Sequence, residues 1–275
     1  MRPDMRVALA QIRSTTDPAA NLALVREHTQ RAADAGASLV LFPEATMCRL
    51  GVRLGDVAEP FDGPWANGVR EAAESAGIVV IVGMFCPAGD GRITNTLLAT
   101  GPGVDARYDK IHLYDAFGFT ESKTVAAGRE PVVISVDGVT VGLTLCYDIR
   151  FPELYVELAE RGAELITVHA SWGTGPGKLD QWTLLARARA IDTTSVVAAV
   201  GQAYPGDEIA EIGPTGVGGS VVASALGEIV VSAGADPELL VCDIDLEAAR
   251  KAREIVAVMT NRSGVAHLRR AESLG

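Results

Sequence analysis

The sequence predicts a layered α/β fold built on mixed sheets, and three observations predict it. Strand-like and helix-like segments alternate along the whole chain. Two turn signals, Gly101-Pro102-Gly103 and Asp137-Gly138, join neighbouring strands as hairpins, which argues against a purely parallel sheet. No linker and no internal repeat interrupts the 275 residues, a length that suits one large domain with a sizeable core. Residues 1–275 are therefore expected to form a single domain, with 257–275 as a C-terminal tail.

The elements follow in order. Residues 5–12 read as a strand. Residues 18–35 carry helical spacing in Leu22, Val25, Thr29, Ala32 and Ala33, and Gly36 stops them. A strand at 38–42 runs into Pro43-Glu44. A helix spans 64–76 and ends at Gly77; a strand follows at 78–85. Residues 93–100 and 104–108 pair across the Gly-Pro-Gly turn, and 132–136 and 139–145 pair across Asp137-Gly138. Residues 152–161 form a helix with Pro152 in its first turn and Gly162 just past its end. A strand at 165–168 and a helix at 179–191 come next. Strands at 195–200, 218–222, 228–231 and 239–244 precede a closing helix at 246–256.

Composition narrows the function. Hydrophobic residues make up 48% of the chain and charged residues 21%, a globular balance. The net charge is −11, and no Lys/Arg-rich run is present, so neither nucleic acid nor an anionic membrane is expected as a partner. No apolar stretch approaches the roughly 20 residues of a membrane helix. The first residues lack the pattern of a signal peptide, which points to the cytoplasm. The four cysteines, Cys48, Cys86, Cys146 and Cys242, form no C-x-x-C pair. Neither a zinc site nor a disulfide framework is expected, and each defaults to a small buried hydrophobe.

Cys146 departs from that default. In open α/β sheets ligands gather at the carboxyl ends of strands, and three such ends carry reactive side chains: Glu44, Lys110 and Cys146. By period-two alternation Val141, Leu143 and Leu145 share one face of their strand, and Thr144 and Cys146 the other. The chain then turns through Tyr147-Asp148-Ile149-Arg150 into a helix. A thiol on such an elbow is expected to be exposed, with backbone N–H groups beside it for an oxyanion. The thiolate is the nucleophile, so a base is needed. His28 and His267 read as surface residues. His112 and His169 lie near candidate loops and either enter the site or serve as hydrogen-bonded structural groups. Glu44, after an apolar strand, is a base in an apolar cleft, or else a helix-N-terminal or surface carboxylate. Lys110 is a fixed positive charge for an oxyanion or an ordinary surface lysine.

Three stretches in this order, "LVLFPEAT", "YDKIHLYD" and "LTLCYDIRFPELY", resemble the nitrilase, or carbon–nitrogen hydrolase, superfamily. The resemblance runs from "RVALAQI" to "VCDIDLEAAR", and "CYDIRFPEL" with "QWTLLARARAID" is most similar to the branch of ω-amidase and deaminated glutathione amidase. It implies a four-layer α-β-β-α sandwich and a Glu-Lys-Cys triad, which maps onto Glu44, Lys110 and Cys146. It also implies a second glutamate after the lysine, and "FGFTES" supplies Glu121, expected to orient Lys110 or the substrate amide.

The implied chemistry is cleavage of a small amide through a thioester with release of ammonia. Glu44 would be the base, and Lys110 and the Tyr147 N–H would hold the oxyanion. No metal or organic cofactor is expected, because the thiol supplies covalent catalysis. Homodimers or larger homo-oligomers are expected, though the tail, "REIVAVMTNRSGVAHLRRAESLG", departs from the family pattern. Arg150 is a candidate partner for a substrate carboxylate, or else a salt-bridge partner of Asp148 or Glu153. Trp172 either walls the pocket or caps the core.

Competing functions remain at this stage. Nitrile hydrolysis, N-carbamoyl amino acid hydrolysis and acyl transfer use the same triad. A catalytically silent scaffold would be expected to lack a triad residue. "GTGPGK", residues 173–178, invites a nucleotide-binding reading but fails the phosphate-loop spacing, because Trp172 stands at the required first glycine and Leu179 at the required Ser or Thr. "GPTGVGGS" likewise lacks the dinucleotide spacing.

Overall fold

The computed structural model describes residues 5–116 and 118–262. His267 and the part of the 257–275 tail beyond Arg262 lie outside the described residues.

The first half runs β1 (Met5–Gln11), α1 (Pro18–Asp34), β2 (Leu39–Leu41), α2 (Pro64–Ala76), β3 (Val79–Pro87), β4 (Ile93–Gly101) and β5 (Val104–Asp109). The second runs β6 (Val133–Val136), β7 (Val139–Leu145), α3 (Pro152–Glu160), β8 (Leu165–Ala170), α4 (Lys178–Thr193) and β9 (Val196–Gly201). Then come α5 (Asp207–Ala210), β10 (Val221–Ala223), β11 (Ile229–Ser232), β12 (Glu238–Ile244), α6 (Leu246–Val256) and α7 (Val258–Asn261).

Local chemistry sets the helix ends. The Asp17 carboxylate accepts from Ala19 N at 2.9 Å, and Pro18 opens α1 where its missing N–H costs nothing. Gly77 closes α2 in the left-handed conformation, φ 68°, donating back to Ala73 and Glu74.

Two six-stranded sheets result, ordered β12-β1-β2-β3-β4-β5 and β11-β10-β9-β8-β7-β6. In each, three central strands are parallel (β1-β2-β3, β7-β8-β9) and the flanking pairs are antiparallel. Side-chain alternation sorts the apolar residues into layers. Leu9, Leu41 and Ile81 of the first sheet meet Val141, Leu143, Leu145 and Val200 of the second between the sheets. Ala8, Val40 and Val80 face outward onto Val25, Trp65 and Val69 of α1 and α2. Ile166, Val168 and Val197 face outward onto Leu158, Trp182 and Ala186 of α3 and α4. This is a four-layer α-β-β-α sandwich. Among the described residues no helix is long and apolar enough to cross a membrane.

Boundaries differ from expectation where ladders or glycines decide them. β8 continues past Val168, because His169 and Ala170 keep their parallel partners Val200 and Gly201. β10 starts at Val221 rather than 218, because Gly218 and Gly219 both hold positive φ (70° and 69°) and leave the ladder. The short helix α5 carries no apolar period and was not anticipated.

Candidate active site

The three strand ends converge. Lys110 directly follows β5, Glu44 lies just past β2, and Cys146 directly follows β7. Two of them thus come from the first sheet and the thiol from the second. Lys110 Nζ lies 3.0 Å from Glu44 Oε1 and 3.0 Å from Glu121 Oε2. All three triad residues are buried, Glu44 at 1%, Lys110 at 2% and Cys146 at 9% exposure. The expectation of an exposed thiol on the strand face is corrected. The strand ends at Leu145, and Cys146 opens a 3₁₀ turn, Cys146–Arg150, at φ 44°. A side chain in that left-handed region is strained, and neighbouring structure must hold it there.

Charge explains the arrangement. Burial alone would lower the pKa of Lys110, but Glu44 and Glu121 outweigh it and hold the ammonium well above its ordinary pKa. Burial also pushes the Cys146 thiol well up, and the adjacent Glu44 carboxylate pushes it further; Lys110 opposes both. The resting site therefore holds a neutral thiol against a carboxylate, with a fixed cation beside them. Tyr147 is the second residue of the turn, and the first N–H groups of a helical turn have no partner within it.

Several residues that the sequence did not single out hold this geometry. Asn95 Nδ2 donates to Glu44 Oε1 at 2.8 Å and to Glu121 Oε1 at 3.3 Å. Ser171 N donates to Glu44 Oε2 at 2.8 Å, and Tyr114 N to Glu121 Oε2 at 2.6 Å. Gln202 Nε2 reaches the Glu44 carbonyl at 3.0 Å. Asn95 left one trace in the sequence, an amide inside the strand "ITNTLLAT"; the backbone donors left none.

The three described histidines make structural contacts. His169 Nδ1 donates to the Phe42 carbonyl at 2.6 Å and tethers β8 to the Glu44 loop. His112 Nδ1 lies 2.8 Å from Asp148 Oδ1, and its ring stacks on Phe151. His28, expected at the surface, is buried at 7% exposure with Nδ1 bonded to the Leu24 carbonyl, because it lies on the inner side of α1.

A cavity of about 280 Å³ opens onto the thiol. Glu44, Lys110, Glu121, Cys146, Tyr147, Arg150 and Trp172 all line it. Arg150 makes no salt bridge with Asp148 or Glu153. Its Nη2 donates to Gln181 Oε1 at 3.1 Å, its guanidinium lies 5.1 Å from the Trp172 ring centre, and its buried Nε has no protein partner. Trp172 does both things expected of it: it walls the cavity and packs 5.4 Å from Trp182 in the outer core. Gly173 and Lys178, the ends of the glycine-rich loop, also line this cavity.

The family model described as carbon-nitrogen hydrolase matches residues 6–254. A Mycobacterium tuberculosis protein named only as a hydrolase is 67% identical over 98% of this chain and all of its own length. The deaminated glutathione amidase of Escherichia coli O157:H7 is 34% identical, covering 94% of this chain and 97% of that protein. Human omega-amidase is 30% identical over 94% of each. Among solved structures, an amidase from Nesterenkonia sp. superposes with a TM-score of 0.82 at 27% identity, covering 98% of this chain and 97% of that one. A mutant of the Nesterenkonia enzyme shows covalent addition of the acetamide moiety of fluoroacetamide at its active site cysteine, with a TM-score of 0.82 to this chain over 98% of it and 97% of that chain, at 26% identity.

Proposed function

The chain belongs to the carbon–nitrogen hydrolase family as an enzyme of the amidase kind, and from that premise we propose that it hydrolyses a small, carboxylated linear amide through a Cys146 thioester, releasing ammonia. The observation that carries this reading is the buried Lys110 ammonium, 3.0 Å from both Glu44 and Glu121, in the cavity that all three share with the Cys146 thiol.

The steps follow from the charges. Cys146 Sγ bonds to the amide carbonyl carbon as its proton passes to Glu44. Negative charge then develops on the carbonyl oxygen, where Lys110 and the Tyr147 N–H stabilise it. The tetrahedral species collapses, the C–N bond breaks, and Glu44 returns the proton to the leaving nitrogen, which departs as ammonia. Water loses a proton to Glu44 and attacks the thioester. The acid leaves, and the thiol takes the proton back. Glu121 holds Lys110 in place throughout. Arg150 supports a carboxylate on the substrate, because its buried Nε has no protein partner and its fork suits a carboxylate.

The test is ammonia release from α-ketoglutaramate, deaminated glutathione, glutaramate and N-carbamoyl-β-alanine. We expect turnover of one of the first three, abolished in Cys146→Ala and reduced about 10²-fold or more in Glu44→Gln. Release of carbon dioxide with ammonia from the carbamoyl compound alone would replace this substrate class with N-carbamoyl amino acids. Turnover unchanged in Cys146→Ala would overturn the mechanism.

A further inference from the structure

Asp148 lies two residues past the proposed nucleophile and is fully buried. It does not pair with Arg150. Instead four donors converge on it. Tyr108 Oη and Leu145 N donate to Oδ2 at 2.5 and 2.9 Å. His112 N and His112 Nδ1 donate to Oδ1 at 2.9 and 2.8 Å. These contacts fill the four acceptor directions of a carboxylate.

The identity of the donors matters more than their number. Leu145 precedes Cys146 and fixes the entry to its left-handed turn. Tyr108 lies two residues before Lys110, and His112 two residues after it. Tyr108 is the penultimate residue of the first sheet's edge strand, β5, whereas Leu145 ends β7 of the second sheet. One carboxylate thus joins the carrier of the thiol to both flanks of the carrier of the ammonium, across the two sheets. Rings close the same circuit: His112 stacks on Phe151 at 3.7 Å, and the Tyr147 ring meets Phe151 edge-on at 5.3 Å.

Packing alone does not ask for a carboxylate here. Burying one costs free energy unless donors meet it, and an apolar side chain would fill the space without that demand. An amide would not substitute either. Its single oxygen accepts from at most two donors, and its NH₂ would face the others. What the carboxylate adds is a fixed distance between Cys146 and Lys110, set behind the cavity rather than by groups that face the substrate.

We propose that Asp148 is a positioning residue, which sets Cys146 relative to Lys110 through Leu145, Tyr108 and His112. The proposal rests on the roles given above to Cys146 and Lys110. A displacement of about 1 Å in a reacting group can cost on the order of 10²-fold in rate.

The test uses the full-length protein, Asp148→Asn and Tyr108→Phe. Two quantities are read: kcat and KM on the amide that the wild type turns over, and the rate at which fluoroacetamide alkylates Cys146, followed by intact mass. In that alkylation the Sγ–C bond forms, the C–F bond breaks, and fluoride and the thiol proton are released, so no physiological substrate is needed. We expect kcat and the alkylation rate to fall together, about 10²-fold in Asp148→Asn and about fivefold in Tyr108→Phe, with KM within about threefold. Rates per folded molecule within twofold of wild type would overturn the proposal, as would losses that only track the unfolded fraction. If Asp148→Asn does not fold, Tyr108→Phe decides by the same split. Alkylation that follows the expected pattern while every amide fails would sustain the proposal and fault only the substrate class. Wild-type Cys146 reacting no faster than Cys48, Cys86 and Cys242 would remove the nucleophile, and this inference with it.

Discussion

Lys110 spends its charge on two carboxylates before any substrate arrives. A buried ion pair of this kind is weak support for stability, since desolvation offsets the attraction. Its value is that donors already point at the reacting centre and need not reorganise during the reaction. The neutral resting thiol fits the proposed mechanism, in which its proton passes to Glu44 as the carbonyl is attacked. His169 shows what the scaffold gives up to hold this geometry. Burial depresses its pKa to about 4 from 6.5, although its bond to the Phe42 carbonyl opposes the shift. The unfolded chain therefore protonates this imidazole between pH 6.5 and 4 while the folded one resists, so stability falls as pH falls through that window. We expect this group to remove about 3 kcal/mol between pH 6.5 and pH 4. Urea unfolding across that range, compared with His169→Gln, checks it; parallel curves for the two proteins would refute it.

At the scale of elements, β3 shows how a strand can shape a loop it does not belong to. A Cβ on Gly83 would sit 2.9 Å from Ala45 N and the Pro43 carbonyl oxygen, and 3.0 Å from the Glu44 Cα. These are backbone atoms of the turn that carries Glu44, in which Ala45 already holds φ 58°. Gly83→Ala should push that turn away from Lys110. We expect a loss of about 1–3 kcal/mol in unfolding free energy, as for other overpacked sites, and a fall in kcat larger than that loss explains at temperatures where the variant is folded. Ammonia release beside urea titration gives both numbers.

This element also marks the limit of sequence reading. The continuous apolar run "VVIVGMF" makes the strand legible, but nothing local says what backbone its Gly83 approaches. Strand ends offered Glu44, Lys110 and Cys146 as candidates but left a bland reading of each open; the ordered motifs of the family resemblance singled them out. Asn95, Ser171 and Asp148 were not legible. Their parts depend on contacts between distant segments, within the first sheet for Asn95 and between the two sheets for Ser171 and Asp148, and no local period encodes those. The burial of Cys146 was misjudged because alternation says which way a strand residue points, while Cys146 has already left the strand.

At the scale of the whole molecule, each sheet supplies an incomplete site. The first brings Glu44 and Lys110, the second Cys146 and Ser171, and the contacts between them cross the inter-sheet core. A chain of 275 residues is long enough to populate folding intermediates that hold secondary structure before their packing is settled. In such a species either half exists without the other, so the thiol has no base and the ammonium no nucleophile. Catalysis is then a clock for the docking of the two halves. On dilution from denaturant, far-UV ellipticity should return ahead of activity, and the recovery of rapid Cys146 alkylation should follow the later phase. If all three return with one rate constant, the halves assemble together and the clock has a single tick.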